Sequence, residues 1–225
     1  MIDLVVFDMA GTTVFDGDAV NAAVRDTLAA WDLVLPSAVI DSVMGLPKPV
    51  AVRILLNHAG RPATDADVDA LHTAFTARMI DYYRTAPDVR EVPGAAAVFA
   101  ELRAKGVKVA LDTGFFRPIA AVVLERLGWT VPEVIDATIT SDEVPNGRPH
   151  PDMIHVLMQR FGVTDPTRVA KAGDTQSDME QGTNAGCKFV IGVLTGSSTR
   201  DQFAAWPHTH LVASVADVPA VLAGG

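Results

Sequence analysis

The residues in this chain whose placement suggests chemistry are acidic side chains at the ends of apolar runs. The first run, residues 2–7, leads into Asp8 and then Met9-Ala10-Gly11-Thr12-Thr13. A later run closes in Ala172-Gly173-Asp174-Thr175-Gln176-Ser177-Asp178. An ionised carboxylate at the end of a buried strand is costly unless a partner or a metal ion compensates it. Taken alone, Asp8 also reads as a turn residue, and Asp174 with Asp178 as a pair at a helix N-terminus. Parallel strands, however, bring their carboxyl ends to one edge, and three carboxylates gathered there repel one another unless a cation joins them. Hard oxygen donors of this kind suit Mg²⁺. The Gly11-Thr12 turn offers backbone amides to an oxyanion. Thr113 and Gly114, after Leu111-Asp112, offer a hydroxyl and further amides. Arg148, fixed between Gly147 and Pro149, is a candidate phosphate contact.

These residues need a scaffold that sets them on one edge. Short apolar runs at 2–7, 107–112, 134–139, 168–172, 188–193 and 209–213 predict strands. Amphipathic stretches at about 94–105, 117–127, 150–161, 177–185 and 200–205 predict the helices between them. That alternation is the pattern of a doubly wound parallel sheet, an α/β fold. Gly106, Gly128 and Gly162 stand where helices should end. The interval from about 15 to 90 breaks the rhythm, with helical pattern at Ala19–Trp31, Pro49–His58 and Asp65–Arg84 and no convincing strand. Thr64 and Asp67 read as the cap of the last of these helices. The expected organisation is an α/β core from residues 1–14 and 91–225 with a helical cap, 15–90, inserted after strand one. Such an insertion covers the carboxyl edge, where open α/β sheets bind ligands.

Composition narrows the classes. The chain has 225 residues, 49% hydrophobic and 20% charged, enough for a sizeable core without staples. Eighteen basic against 27 acidic residues give a net charge of −9, which argues against nucleic acid as a partner. The single cysteine, Cys187, excludes an internal disulfide and a thiolate zinc site, and reads as a core residue opening a strand. The first residues carry no basic segment of a signal peptide, and no apolar run approaches a membrane span of ~20 residues. A soluble, cytoplasmic protein without membrane partners is the expectation.

Four segments in this order resemble the haloacid dehalogenase superfamily: the loop at Asp8, Thr113, Arg148, and Gly173-Asp174 with Asp178. The resemblance spans the chain and implies a Rossmann-like core with a mobile cap, Mg²⁺ as cofactor, and a phospho-aspartate formed on Asp8. By the same resemblance, Asp8, the Ala10 carbonyl, Asp174 and Asp178 serve the metal. Thr12, Thr113, Gly114 and Arg148 hold phosphoryl oxygens. Most phosphatases of this superfamily have a second aspartate where this chain has Ala10, so the usual acid for an alkoxide leaving group is missing.

The Asp8-Met9-Ala10-Gly11-Thr12-Thr13 form is similar to the phosphonatases, which cleave a C–P bond. Their cap carries Met-Gly-Leu-x-Lys, and this chain reads Met44-Gly45-Leu46-Pro47-Lys48. The resemblance makes Lys48 an imine-forming catalytic residue and Gly45 part of a specificity loop. A protonated imine accepts the electrons of the breaking C–P bond, so no acid is required at position 10. Taken alone, Lys48 reads as a solvated charge in a proline-rich loop. Three departures stand out: Ala51 replaces the family's histidine three residues after the lysine, Met9 replaces its tryptophan, and the cap is shorter. His58 is a weak substitute for that histidine. The implied substrate is a small carbonyl phosphonate, phosphonoacetaldehyde or a relative. The alternatives are a phosphate-monoester phosphatase without the second aspartate and a phosphonate- or phosphate-binding module without turnover. Family members often pair through the cap, which leaves a homodimer open, with Phe75 and Met79 as candidate exposed contacts.

Overall fold

The computed structural model describes residues 1–15 and 17–224; Asp16, within the expected insertion, and Gly225, within the expected core, lie outside the described residues. The chain runs β1 (Leu4–Asp8), β2 (Val14–Phe15), α1 (Ala19–Ala29), α2 (Ser37–Asp41), α3 (Lys48–His58), α4 (Asp65–Thr85) and β3 (Arg90–Glu91). It continues α5 (Ala95–Ala104), β4 (Lys108–Thr113), α6 (Arg117–Leu127), β5 (Ala137–Thr140), α7 (Asp152–Phe161) and β6 (Val169–Gly173). The last elements are α8 (Gln176–Asn184), β7 (Phe189–Val193), α9 (Arg200–Phe203), β8 (His210–Val212) and α10 (Val218–Ala223).

Six strands form one parallel sheet in the order β5-β4-β1-β6-β7-β8, so β1 lies between β4 and β6. Every residue of β1 is buried because both faces are covered, which explains why it reads as an unbroken apolar run. Leu4 and Val6 pack on one face with Ile139, Met153, Ile154 and Leu157. Val5 and Phe7 pack on the other with Phe99, Leu111 and Ile119.

Register sets the chemistry of the edge. Asp8 lies beside Asp112, and Phe7 beside Ala172, which puts Gly173-Asp174 next to the end of β1.

The helices of the 15–90 interval are bracketed by a small antiparallel ribbon absent from the sequence reading, in which Val14 pairs with Glu91 and Phe15 with Arg90. Two residues a side carry too little pattern to read as strands. The short α2 was likewise missed. The expected cap of α4 is present: Thr64 Oγ1 accepts the Asp67 N–H at 3.2 Å. The fifth strand starts at Ala137 rather than 134, because Val134 and Ile135 donate back to the Thr130 carbonyl and close a turn first. α4 packs on α1, α3 and α6. Phe75 and Met79 lie inside that packing, 2% and 0% exposed, so neither is the surface contact expected of it. Cys187 is half-buried, just ahead of β7, and burial pushes its thiol up to about 12. Among the described residues, no helix is long and apolar enough to cross a membrane.

Candidate active site

The carboxyl edge of the sheet carries four aspartates and two cations within one buried network. Asp8 ends β1, Asp112 stands next to last in β4, Asp174 follows β6, and Asp178 sits in the first turn of α8. Arg148 enters from the loop before α7 and is 2% exposed. Its Nη1 lies 2.7 Å from Asp8 Oδ1 and 2.9 Å from Asp178 Oδ1. Its Nη2 donates to the Asp112 carbonyl at 2.9 Å and pairs with the Asp112 carboxylate. Lys171, in the middle of β6 and fully buried, pairs with Asp112 and lies 3.0 Å from Asp178 Oδ1. The guanidinium expected as a phosphate contact is thus shared by three carboxylates.

Sequence reasoning missed Lys171 and the role of Asp112. A signal existed: a lysine inside Val-Ala-Lys-Ala-Gly cannot be buried without an acidic partner. Asp112 beside Thr113 supplies it.

Each aspartate feels a different balance. Burial pushes Asp8 up to about 7, with Arg148 opposing and Asp178 adding to the rise. Asp174 is also held well above the usual carboxylate range, by burial first and then by Asp8 and Asp178. Burial acts on Asp178 too, but Arg148, Lys171 and a hydrogen bond from Thr175 hold it below the usual range. Arg148 is raised: burial opposes its charge, and Asp112, Asp178 and Asp8 outweigh that.

Oxygens of Asp8, Asp174 and Asp178 lie within 4.8 Å of one another. Arg148 and Lys171 pair with Asp8, Asp112 and Asp178, and Asp174 pairs with neither, so four ionised carboxylates exceed the two cations by two charges and the rise falls on Asp8 and Asp174. An all-oxygen set short of two positive charges fits a hard divalent cation such as Mg²⁺. Asp178 is the most occupied of the three, since its Oδ2 also accepts from Thr175 Oγ1 at 2.5 Å and the Thr175 N–H at 3.2 Å. Asp174 is oriented by the Ser197 N–H at 2.9 Å and by Thr12 Oγ1 at 3.3 Å. The loop containing Ser197 has no sequence motif and was not foreseen.

Lys48 occupies a different environment. It is the first residue of α3 and 3% exposed, not a solvated loop residue. Its Nζ lies 5.5 Å from the Phe75 ring centre and 5.7 Å from that of Phe115. Burial lowers it to about 8, and Arg148 adds to that while Asp8 opposes. His58, at the far end of α3, is exposed and distant in sequence from this setting. Ala51 is buried within α3.

The segment before Lys48 presses against the sheet edge. Gly45 has φ +75°, and a Cβ there would collide with Thr175 and Ser177. A Cβ on Gly114 would stand 2.6 Å from the Gly45 carbonyl oxygen. Both positions therefore require glycine for close approach. Between these surfaces lies a cavity of about 130 Å³. Asp8, Ala10, Gly11, Lys48, Arg148 and Asp174 line it, so the residues singled out from the first run, the lysine segment and the later runs share one space. Gly45, Thr113 and Gly114 line it as well; Thr12 and Asp178 stand behind it through their bonds to Asp174 and Arg148. Thr113 Oγ1 accepts the Phe115 N–H at 3.1 Å.

A doubly wound sheet with these groups at its carboxyl edge defines a Rossmann-type α/β enzyme. A family model for haloacid dehalogenase-like hydrolases matches residues 2–186, and the chain belongs to that family, in its phosphonatase-like branch. It is 31% identical to the phosphonoacetaldehyde hydrolase of Bacteroides fragilis, over 96% of this chain and 87% of the relative. A hydrolase from Pseudomonas syringae superposes with a TM-score of 0.87 at 20% identity, covering 100% of this chain and 99% of that one. A phosphonoacetaldehyde hydrolase-like protein from Oleispira antarctica gives 0.83 at 22% identity, covering 99% and 92%.

Proposed function

We propose that this hydrolase cleaves the C–P bond of a small carbonyl phosphonate, through an imine on Lys48 and a phosphoryl group carried by Asp8. The observation that carries the reading is Lys48: a buried amine, lowered to about 8, lining the same cavity as Asp8. A lysine placed only to bind an anion gains nothing from losing its proton. One that condenses with a carbonyl must be neutral to attack.

In this reading the amine adds to the substrate carbonyl and water leaves, giving a protonated imine. An Asp8 oxygen attacks phosphorus while the C–P bond breaks. The bonding pair moves toward the imine nitrogen, leaving an enamine. Protonation at carbon and hydrolysis of the imine return the lysine and release the carbonyl product. Water then hydrolyses the acyl phosphate on Asp8. For phosphonoacetaldehyde the sum is one water consumed and acetaldehyde and phosphate formed. The alanine at position 10 suits this chemistry, because a carbon leaving as an enamine needs no oxygen-directed acid.

Thr113, Gly114 and Arg148 orient the phosphoryl oxygens, with Asp112 and Lys171 fixing the guanidinium, while Thr12, expected as a phosphoryl contact, instead steadies Asp174 from behind the cavity. Mg²⁺, held by Asp8, Asp174 and the Ala10 carbonyl with Asp178 behind them, would neutralise negative charge on the phosphoryl group. The helices of residues 15–90 act as a cap, with Gly45 and Lys48 on the segment that meets the core, and closure keeps water from the imine.

The experiment is phosphate release from phosphonoacetaldehyde with Mg²⁺ by the parent, Asp8→Asn and Lys48→Arg. Release by the parent, with losses on the order of 10⁴-fold in Asp8→Asn and 10³-fold in Lys48→Arg, is the expected result. A parent that hydrolyses only phosphate esters, with Lys48→Arg equally active, would make the chain a phosphatase.

A further inference from the structure

The cavity has one polar wall that the chemistry above does not use. Asn21, at the third position of α1, is 5% exposed and lines the same space as Asp8 and Lys48. Its Nδ2 donates to Asp18 Oδ1 at 2.6 Å. A carboxylate accepts and does not donate here, so this bond fixes the amide with its carbonyl turned the other way. That carbonyl oxygen, Oδ1, is buried and has no hydrogen-bond partner among the described residues. Asp18 lines the cavity too, and Arg25 pairs with it at 3.4 Å.

A buried acceptor without a donor costs desolvation that nothing in the free protein returns. A ligand bearing a donor would return it. We propose that Asn21 determines substrate specificity by accepting a hydrogen bond from an O–H or N–H on the carbon chain, so that the preferred substrates are phosphonates carrying a hydroxyl or amino group. This rests on the reading above for the ligand's orientation, with phosphorus at Asp8 and the carbon chain toward α1. Phosphonoacetaldehyde, whose two carbons carry no O–H or N–H, would leave this acceptor unpaired. The cavity suits a ligand this small, being well under the ~300–1,000 Å³ of larger ligand pockets.

The test is calorimetric binding of propylphosphonate, 3-hydroxypropylphosphonate and 3-aminopropylphosphonate to the Mg²⁺-loaded parent, Asn21→Leu and Asn21→Ala. None of these probes has a carbonyl, so none forms an imine, and the measurement stands apart from C–P cleavage. The parent should bind the hydroxyl or the amino compound roughly tenfold more tightly than propylphosphonate. The ratio should fall to about one in both variants, with thermal melts reporting that each folds. A larger gain for the amino compound assigns an ammonium donor assisted by Asp18, and a larger gain for the hydroxyl compound assigns an alcohol. Equal affinities in the parent, or a ratio that survives in both variants, overturns the inference. A parent that shows the ratio yet releases no phosphate from carbonyl phosphonates would retain the Asn21 assignment and sink the C–P reading instead.

Discussion

The two sides of the cavity solve opposite problems. At the sheet edge, Arg148 and Lys171 are buried with carboxylates packed on them, and charge is held by charge. On the side of α3, Lys48 is as deeply buried, but its neighbours are the rings of Phe75 and Phe115. The first arrangement ties its cations to carboxylates and holds them rigid. The second gives its amine no ion-paired carboxylate among the described residues, and burial with Arg148 outweighs the more distant Asp8, which eases loss of the proton. Two buried lysines in one protein thus differ in what faces them: one is paired with carboxylates, and the other is set against aromatic rings, the setting that the proposed imine requires.

Breaking the structural side should have the largest effect on stability. Lys171→Met leaves Asp112 buried with one cation fewer, and the expected loss is about 3–5 kcal/mol in denaturant unfolding. Pairing it with Asp112→Asn removes both charges and should recover a large part of that loss. A double variant as unstable as the summed singles would show that the two do not act as a pair.

The reactive side is sharpened by pH. A Lys48 lowered to about 8 is charged below that value and neutral above it. Phosphate release from a carbonyl phosphonate should therefore rise with pH through an apparent pKa near 8. Stability moves in the same direction: between about 8 and the unfolded value of 10.5, the unfolded chain holds the proton that the folded one has lost. Stability should therefore increase with pH from about 8 to 9, above which the Cys187 thiol, raised from 9.0 to about 12, contributes with the opposite sign. Phe75→Ser admits water beside the amine and should move the activity limb to higher pH. A limb that stays near 8 in Phe75→Ser would place its origin elsewhere.

A smaller effect is expected at the junction of the two sides. Gly45→Ala puts a methyl where Thr175 and Ser177 stand, at positive φ, so the segment must retreat from the edge. Turnover should fall by about tenfold or more with little change in the pH limb. A shifted limb would show that the same retreat also rehydrates Lys48.

Most of the scaffold and the acidic edge could be read from the chain, because both are written locally. A parallel strand buried on two faces is an apolar run, and its last residues carry the chemistry. Asp8, Asp174 and Asp178 follow such runs directly. The other wall is assembled from residues distant in sequence. Phe75 sits mid-helix in α4 with a helical spacing that also suits a surface, and only the packing on α1, α3 and α6 reveals it as Lys48's neighbour. Asn21 falls in an undistinguished helix start, and Ser197 in a loop without pattern. Lys171 was legible in principle, yet its meaning depends on a partner, Asp112, one strand beyond β1.

The central claim is that Lys48 forms an imine. It is tested by adding borohydride to the enzyme with phosphonoacetaldehyde and mapping the adduct by mass spectrometry. The account predicts substrate-dependent inactivation, with an ethyl or phosphonoethyl group on the Lys48 peptide and none in Lys48→Arg. Turnover of phosphonoacetaldehyde with no trapped adduct, or an adduct on another lysine, would contradict it.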